Sequence, residues 1–232
     1  GVGVKTIIHI GQHKTGTTSI QHFLQDNRVE LGKRGLYVPV GIAGYTNPSH
    51  FILNVYALGT GRYSSMKEHI VATKGESYLD ELEGKLKLDI ESIYADAARN
   101  GCDRVIWSNE GLYLLNSIAE YERLKDLFAG VASDSEVVCC FRDVASYRAS
   151  YIKQQRRQNF QPSDDPDSYR YLEPDSWLFD YERKKELLAG VFDQCTYFDY
   201  DATDNVKAFL DAIGCGAADT DGYRLNVSPE FE

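Results

Sequence analysis

A glycine- and threonine-rich loop near the amino terminus constrains the fold of this chain most strongly. The loop reads Gly-Gln-His-Lys-Thr-Gly-Thr-Thr over residues 11–18. The apolar, largely β-branched run at residues 7–10 that precedes it is typical of a buried strand. The apolar residues that follow the loop have the spacing of one helical face: Ile20, Phe23, Leu24 and Leu31. The stretch therefore predicts a strand, a loop and a helix, in that order.

The predicted turn is suited to an anion. Backbone N–H groups and the positive end of the helix dipole attract negative charge, and Lys14 adds a full positive charge. Nucleotide-binding loops carry a glycine, four residues, a second glycine, a lysine, and a serine or threonine. Gly11 and Gly16 have this spacing, but Thr17 and Thr18 follow the second glycine, and the lysine lies before it. We expect the loop to bind a phosphate-like group, with its cation displaced from the usual place.

Length and charge limit the classes of protein to consider. The chain has 232 residues, 43% of them hydrophobic, which suits a single domain over residues 1–232. The net charge of −10 argues against a nucleic-acid partner or a heparin-like ligand. No cysteine spacing suggests a metal site, and no apolar run is long enough to span a bilayer or to form a signal peptide. We expect a cytoplasmic protein without a membrane span, a nucleic-acid partner or a bound metal.

Strand and helix patterns alternate along the chain. Short apolar runs at residues 105–108 and 136–141 predict strands, and helical periodicity recurs at residues 79–97 and 145–157. This alternation predicts an α/β fold with three layers, in which helices cover both faces of a mostly parallel sheet, as in P-loop NTPases. Three segments show little periodicity, and we expect irregular structure on the acceptor side there: residues 41–49, 60–77 and 158–175.

Polar residues follow the later predicted strands. Because ligands of parallel sheets bind beyond the carboxyl ends of strands, residues 108–110 and Arg142 can converge with the first loop on one cleft. Ser150 lies eight residues after Arg142, about two turns into the next helix, so both side chains can face one point. A guanidinium and a hydroxyl suit a second phosphate. The alternative is that Arg142 pairs with the neighbouring Asp143.

At these motifs the chain resembles the bacterial-type sulfotransferases that use 3′-phosphoadenosine-5′-phosphosulfate. Residues 13–18 resemble the 5′-phosphosulfate loop of that family, and residues 141–151 resemble its 3′-phosphate motif. The second motif departs from the family by having Asp143 and Val144 where asparagine and proline often follow the arginine. The resemblance covers nearly the whole chain and extends to residues 224–228.

The resemblance implies transfer of a sulfuryl group, by in-line displacement, from 3′-phosphoadenosine-5′-phosphosulfate to a hydroxyl or amine. The acceptor would be a carbohydrate, a lipid-linked sugar or a small hydroxylated metabolite, and the other product would be 3′,5′-adenosine bisphosphate. It implies a 5′-phosphosulfate site formed by Lys14, Thr15, Gly16, Thr17 and Thr18, with His13 shaping the loop. It implies a 3′-phosphate site formed by Arg142 and Ser150, with Arg148 and Arg224 as further candidates.

The displaced lysine fits this chemistry. Charge develops on the bridging oxygen as the S–O bond breaks, and a cation beside the 5′-phosphate stabilises that charge. The donor has no triphosphate chain to neutralise, so the reaction needs no metal ion, in contrast to phosphoryl transfer.

The acceptor must lose a proton as it attacks, which requires a general base. Glu110 is the first candidate, because it follows a predicted strand in a Ser-Asn-Glu segment similar to those of bacterial-type members. The alternative for Glu110 is a surface carboxylate or an acid at a helix N-terminus. His50 is the second candidate, since histidine needs little change in pKa to act near neutral pH. A histidine at a helix start is also often a cap or a packing residue.

Two other functions remain open at this point. A nucleoside or sugar kinase would use the same type of sheet and loop, but it is disfavoured by the absence of a lysine directly after Gly16. A nucleotide-binding module without catalytic activity would keep the loop and lose the chemistry.

Overall fold

The computed structural model describes residues 3–13 and 15–215. Its centre is a sheet of five strands: β1 (Lys5–Gly11), β2 (Leu36–Tyr37), β3 (Arg104–Ser108), β4 (Ser135–Phe141) and β5 (Gln194–Asp199). The strands lie in the order β2-β3-β1-β4-β5, and every neighbouring pair is parallel. Strands β1, β3 and β4 are buried along almost their whole length, as expected for a parallel sheet covered on both faces.

Helices connect the strands. They are α1 (Thr17–Asp26), α2 (Arg28–Lys33), α3 (Ile52–Ala57), α4 (Ser65–Lys74), α5 (Ser77–Arg99), α6 (Ile118–Asp126), α7 (Val144–Arg157), α8 (Tyr181–Ala189) and α9 (Asn205–Ala212). Two short 3₁₀ turns cover Glu110–Leu114 and Trp177–Phe179. The predicted alternation of strands and helices, and the parallel sheet that it implies, are confirmed.

The sheet has a separate hydrophobic core on each face. Along β1, Ile7 packs with residues of α1 and α9, whereas Ile8 packs with the larger set of helices that includes α5 and α7. This alternation follows from the period of two in a strand. Because α1 follows β1 on one face and α7 follows β4 on the other, the carboxyl ends of these adjacent strands form a topological switch point, the place where parallel sheets bind ligands.

The prediction of irregular structure over residues 60–77 is wrong, because this segment contains helix α4 and the start of α5. The hydroxyl of Ser64 caps α4 by accepting a hydrogen bond from the backbone N–H of Lys67 at 3.1 Å. Only Lys67 and Ile70 of this helix are buried. Because Ile70 is the only buried apolar residue of α4, the helix has no apolar stripe from which helical periodicity could be predicted. Residues 158–175 contain turns and bends without a helix or strand.

Lys184 of α8 is buried in the larger core, with 2% of its surface exposed. Its ammonium group donates hydrogen bonds to the carbonyl oxygens of Tyr113 and Leu115 and, at 2.9 Å, to the hydroxyl of Tyr121. The lysine thereby joins α8 to the turn after β3 and to α6.

Within residues 3–13 and 15–215, every helix is too short or too polar to cross a bilayer. All five cysteines carry free thiols, and Cys139 and Cys140 are buried in β4, as their apolar surroundings in the sequence predict.

Candidate functional site

The loop after β1 is held in one shape by polar contacts. The hydroxyl of Thr15 donates a hydrogen bond to the carbonyl oxygen of Gln12 at 2.7 Å. From α9, the side-chain amide of Asn205 donates to the carbonyl oxygen of Thr15 at 2.6 Å. Lys14 lies outside the described residues. The loop that would present this lysine is therefore fixed both by its own hydroxyl groups and by the last described helix.

Two positions in this loop require glycine. A Cβ atom on Gly11 would lie 2.1 Å from Oγ1 of Thr17, which is far inside van der Waals contact. Gly16 has a φ of 68°, in the left-handed region that favours glycine. It is the N-cap of α1 and offers no side chain to the first turn, which also contains no acidic residue. The positive end of α1 therefore keeps its attraction for an anion.

Arg142 and Ser150 meet at the carboxyl end of β4, as predicted. Nη1 of Arg142 lies 3.4 Å from Oγ of Ser150, and the guanidinium lies over the ring of Tyr200. Both Arg142 and Ser150 are partly exposed. Asp143 caps α7 by accepting a hydrogen bond from the backbone N–H of Ser146 at 3.0 Å. A guanidinium and a hydroxyl thus lie together where β4 leads into α7.

A direct hydrogen bond joins this pair to the first loop. Oε1 of Gln12 accepts from the backbone N–H of Arg142 at 2.8 Å, and the hydroxyl of Tyr181 donates to the carbonyl oxygen of Arg142 at 2.7 Å. Gln12 is fully buried. Gln12 is not among the predicted site residues, because its only signal in the sequence is its position directly after the strand glycine.

A cavity of about 400 Å³ opens beside Arg142. Its walls come from the carboxyl ends of β4 and β5 and from α8, including Tyr181, Lys185 and Tyr197. The space lies next to Arg142 and is of the size that small ligands occupy.

Glu110 is positioned from helix α1. Nε2 of Gln21 donates hydrogen bonds to Oε2 of Glu110 at 3.0 Å and to Oγ of Ser108 at 3.2 Å. The same serine hydroxyl lies 2.8 Å from Nδ1 of His9. Glu110 is partly exposed, whereas Gln21 is buried. Helix α1, which begins at the first loop, therefore also orients the carboxylate of Glu110.

His50 is enclosed, with 3% of its surface exposed. Nδ1 accepts a hydrogen bond from the backbone N–H of Ser108 at 3.0 Å, and Nε2 lies 3.4 Å from the carbonyl oxygen of Pro39. The ring packs edge-on against Trp107. Burial lowers the pKa of His50 to about 4, so the ring is neutral at pH 7 with both nitrogens engaged.

The remaining predicted residues have different surroundings. Nε and Nη2 of Arg148 donate to the carbonyl oxygen of Leu172 at 3.2 and 3.0 Å, so this side chain binds residues 158–175. The ring of His13 packs edge-on against Tyr151 of α7, with centroids 5.8 Å apart. Arg224 lies outside the described residues. In the part of the chain that the structure covers, no group of three or more His, Cys, Asp or Glu side chains could bind a metal ion.

Comparison with solved structures finds proteins of similar fold. No family model and no curated protein matches the chain. A sulfotransferase from Alicyclobacillus acidocaldarius aligns over 97% of this chain and 87% of its own, with 12% identity and a TM-score of 0.50. A sulfotransferase domain from the curacin biosynthetic pathway aligns over 99% of this chain and 76% of its own, with 14% identity and a TM-score of 0.47. The first likeness confirms the predicted α/β fold as sulfotransferase-like.

Proposed function

We propose that the protein is a sulfotransferase that transfers a sulfuryl group from 3′-phosphoadenosine-5′-phosphosulfate to a hydroxyl or amine of its acceptor. The observation that carries this proposal is the hydrogen bond from Arg142 to Gln12, which fixes two anion-binding features side by side. One feature is the loop at the start of α1, and the other is the pair of Arg142 and Ser150. A nucleotide with phosphates on both the 5′ and the 3′ oxygen needs two such features.

The residues of the loop fit a 5′-phosphosulfate. Gly11 has no side chain that would collide with Thr17, and Gly16 has a left-handed backbone, so the backbone of the loop is left uncovered for the ligand. Helix α1 starts at Gly16 without a capping side chain. We assign Lys14 and residues 15–18 to this group, and Arg142 and Ser150 to the 3′-phosphate. The cavity beside Arg142 provides room for the rest of the nucleotide.

The donor supplies an activated sulfuryl group, whose bond to the 5′-phosphate oxygen breaks as the acceptor oxygen attacks sulfur. Lys14 and the positive end of α1 stabilise the charge that develops on the leaving phosphate. Glu110 removes the proton of the acceptor. Gln21 holds Oε2 of Glu110, so we assign the proton to Oε1.

We assign His50 a positioning role. Its ring holds the backbone at Ser108, two residues before Glu110, and neither ring nitrogen is available to a substrate. The sulfotransferase-like fold supports the proposal at the level of architecture.

Calorimetric titration tests the proposal most directly. We expect the protein to bind 3′,5′-adenosine bisphosphate much more tightly than ATP, because the two phosphates of the bisphosphate match the two anion-binding features. Tight binding of ATP without binding of the bisphosphate would contradict the proposal and favour a kinase. Binding of the bisphosphate without turnover on a broad acceptor panel would favour a module that lacks catalysis.

Lys14→Ala tests the loop itself. We expect this variant to lose formation of bisphosphate from the donor while it keeps the unfolding midpoint of the wild-type chain. Lys33→Ala, which removes an exposed lysine of α2, is the matched control and should remain active. Full activity of Lys14→Ala would show that the lysine has no role in transfer.

We further propose that the reaction is independent of metal ions, because the donor has no triphosphate chain. Treatment with chelator should leave turnover unchanged. Loss of turnover on chelation, with recovery on adding Mg²⁺, would overturn this part of the proposal.

A further inference from the structure

A cavity of about 470 Å³ lies between α7 and residues 158–175. Arg148, Ile152 and Arg156 line it from α7 at intervals of four residues, which places them on one face of the helix. Ser150 is two residues from both Arg148 and Ile152, about 200° around the helix axis. The cavity is therefore on the opposite side of α7 from the proposed 3′-phosphate site.

The walls of this cavity are held in place by contacts of their own. The guanidinium of Arg170 lies 4.4 Å from the ring centre of Phe160. The hydroxyl of Tyr171 donates to Oδ1 of Asp175 at 2.7 Å, and Arg148 is bound to the carbonyl oxygen of Leu172. A site with walls fixed before binding loses less conformational entropy when a ligand enters.

Gln155 provides a polar group that lacks a partner. Its side chain lines the cavity and has only 6% of its surface exposed, and Oε1 accepts no hydrogen bond from the described residues. A buried acceptor without a donor is unfavourable, and Oε1 is itself shielded from solvent, so a ligand that donates a hydrogen bond would gain affinity by turning this amide toward the cavity.

The charges and rings of the cavity indicate the class of ligand. Arg148 and Arg156 contribute positive charge, while Asp164 and Glu173 contribute an equal formal negative charge. This balance favours a neutral ligand over a polyanion or a polycation. The rings of Phe160 and Tyr171 offer apolar faces beside these polar groups. A sugar combines both requirements, because its C–H face stacks on an aromatic ring while its hydroxyls donate to carboxylate or amide oxygens and accept from guanidinium groups.

We propose that this cavity binds a neutral carbohydrate. Gln155 lies one helical turn, about 6 Å, from Tyr151, whose ring contacts His13 of the first loop. The hydroxyl of Tyr151 also donates to the carbonyl oxygen of Tyr169 at 2.7 Å, which ties residues 158–175 to the same helix. Helix α7 thus contacts the first loop through Tyr151 and the cavity through Gln155. That the sugar is part of the acceptor rests on the proposed function.

Calorimetry on the full chain, saturated with 3′,5′-adenosine bisphosphate, tests the cavity. The probes are four neutral tetrasaccharides, namely tetra-N-acetylchitotetraose, cellotetraose, maltotetraose and mannotetraose, and an anionic heparin tetrasaccharide. We expect at least one neutral probe to bind and the heparin probe not to bind. Gln155→Leu should weaken binding of the neutral probe at least tenfold without changing the affinity for the bisphosphate. Arg156→Ala, at an exposed position, should have the same effect.

Gln154→Leu is the matched control, because Gln154 precedes Gln155 on α7, does not line the cavity, and also has a side-chain oxygen that accepts no hydrogen bond from the described residues. This control should bind the probe like the wild-type chain. Failure of all four neutral probes, or equal binding by wild type, Gln155→Leu and Arg156→Ala, would overturn the cavity assignment. Neither result bears on the sulfotransferase proposal, which fails separately if the bisphosphate itself does not bind.

Discussion

Oε1 of Gln12 accepts a hydrogen bond from the backbone N–H of Arg142 at 2.8 Å, across 130 positions of sequence. The contact is possible because β1 and β4 are adjacent and parallel, with Gly11 paired to Cys140 in the register. Each residue follows the end of its strand, and the side chain of Gln12 bridges the two ends. One amide thus sets the distance between the two proposed anion-binding features.

Replacing Gln12 should therefore weaken binding of a ligand that uses both features. We expect Gln12→Leu to reduce the affinity for 3′,5′-adenosine bisphosphate about fivefold, which corresponds to the net value of one hydrogen bond, about 1 kcal/mol. Calorimetric titration provides the measurement. Gln25→Leu is the matched control, because the side-chain amide of Gln25 also bonds a backbone group, with Nε2 donating to the carbonyl oxygen of Pro39, and it bonds neither the described residues of the first loop nor Arg142. Unchanged affinity in Gln12→Leu would show that the bridge does not couple the two features.

Arg142 and Ser150 should discriminate the 3′-phosphate. We expect Arg142→Ala to weaken the affinity for the bisphosphate by roughly 10- to 100-fold, since hydrogen bonds to charged groups contribute about 1.5–3 kcal/mol. Ser150→Ala should have a smaller effect in the same direction. Binding of adenosine 5′-phosphate should change little in either variant. The control is Arg157→Ala, an exposed arginine on the same helix. Equal losses for both nucleotides would place Arg142 at some other part of the ligand.

Much of the fold could be predicted because its signals are local. The buried run of β4 and the helical spacing of α7 are both readable within a few residues, and they place Arg142 directly after β4 and Ser150 within α7. Because Ser150 follows Arg142 by eight residues, the contact between their side chains could be predicted without knowing the rest of the fold. The loop after β1 was readable for the same reason.

The supporting contacts could not be predicted because they depend on the order of strands in the sheet. Gln12 reaches Arg142, and Gln21 reaches Glu110, only because β1 lies between β3 and β4. No pattern in the sequence distinguishes these glutamines from others. The enclosure of His50 likewise depends on its contacts with the end of β3, so its availability to a substrate could not be judged from sequence.

Glu110 should affect turnover and leave nucleotide binding unchanged. We expect Glu110→Gln to lower the turnover number by 10²- to 10⁴-fold, the usual contribution of a general base, with unchanged affinity for the bisphosphate. Gln21→Leu should give a smaller loss, because it removes the hydrogen bond that orients the carboxylate. Glu122→Gln, an exposed position on α6, serves as the control. A fully active Glu110→Gln variant would exclude Glu110 as the base.

Lys184 should make the stability of the fold depend on pH. Burial lowers the pKa of Lys184 from 10.5 to about 7 in the folded protein. Between these values the unfolded chain binds more protons at this residue than the folded chain does, so the free energy of unfolding rises with pH. Relative to Lys184→Met, the wild-type protein should gain up to about 2 kcal/mol between pH 7 and pH 9.

Urea unfolding of both proteins at pH 7 and pH 9 measures this difference. Lys185→Met is the matched control, because Lys185 is adjacent on α8 but partly exposed, and its replacement should leave the pH dependence of the wild type unchanged. If wild type and Lys184→Met show the same change between the two pH values, the buried ammonium keeps its ordinary pKa. In that case the acceptors around it, the carbonyl oxygens of Tyr113 and Leu115 and the hydroxyl of Tyr121, offset the cost of burying its charge.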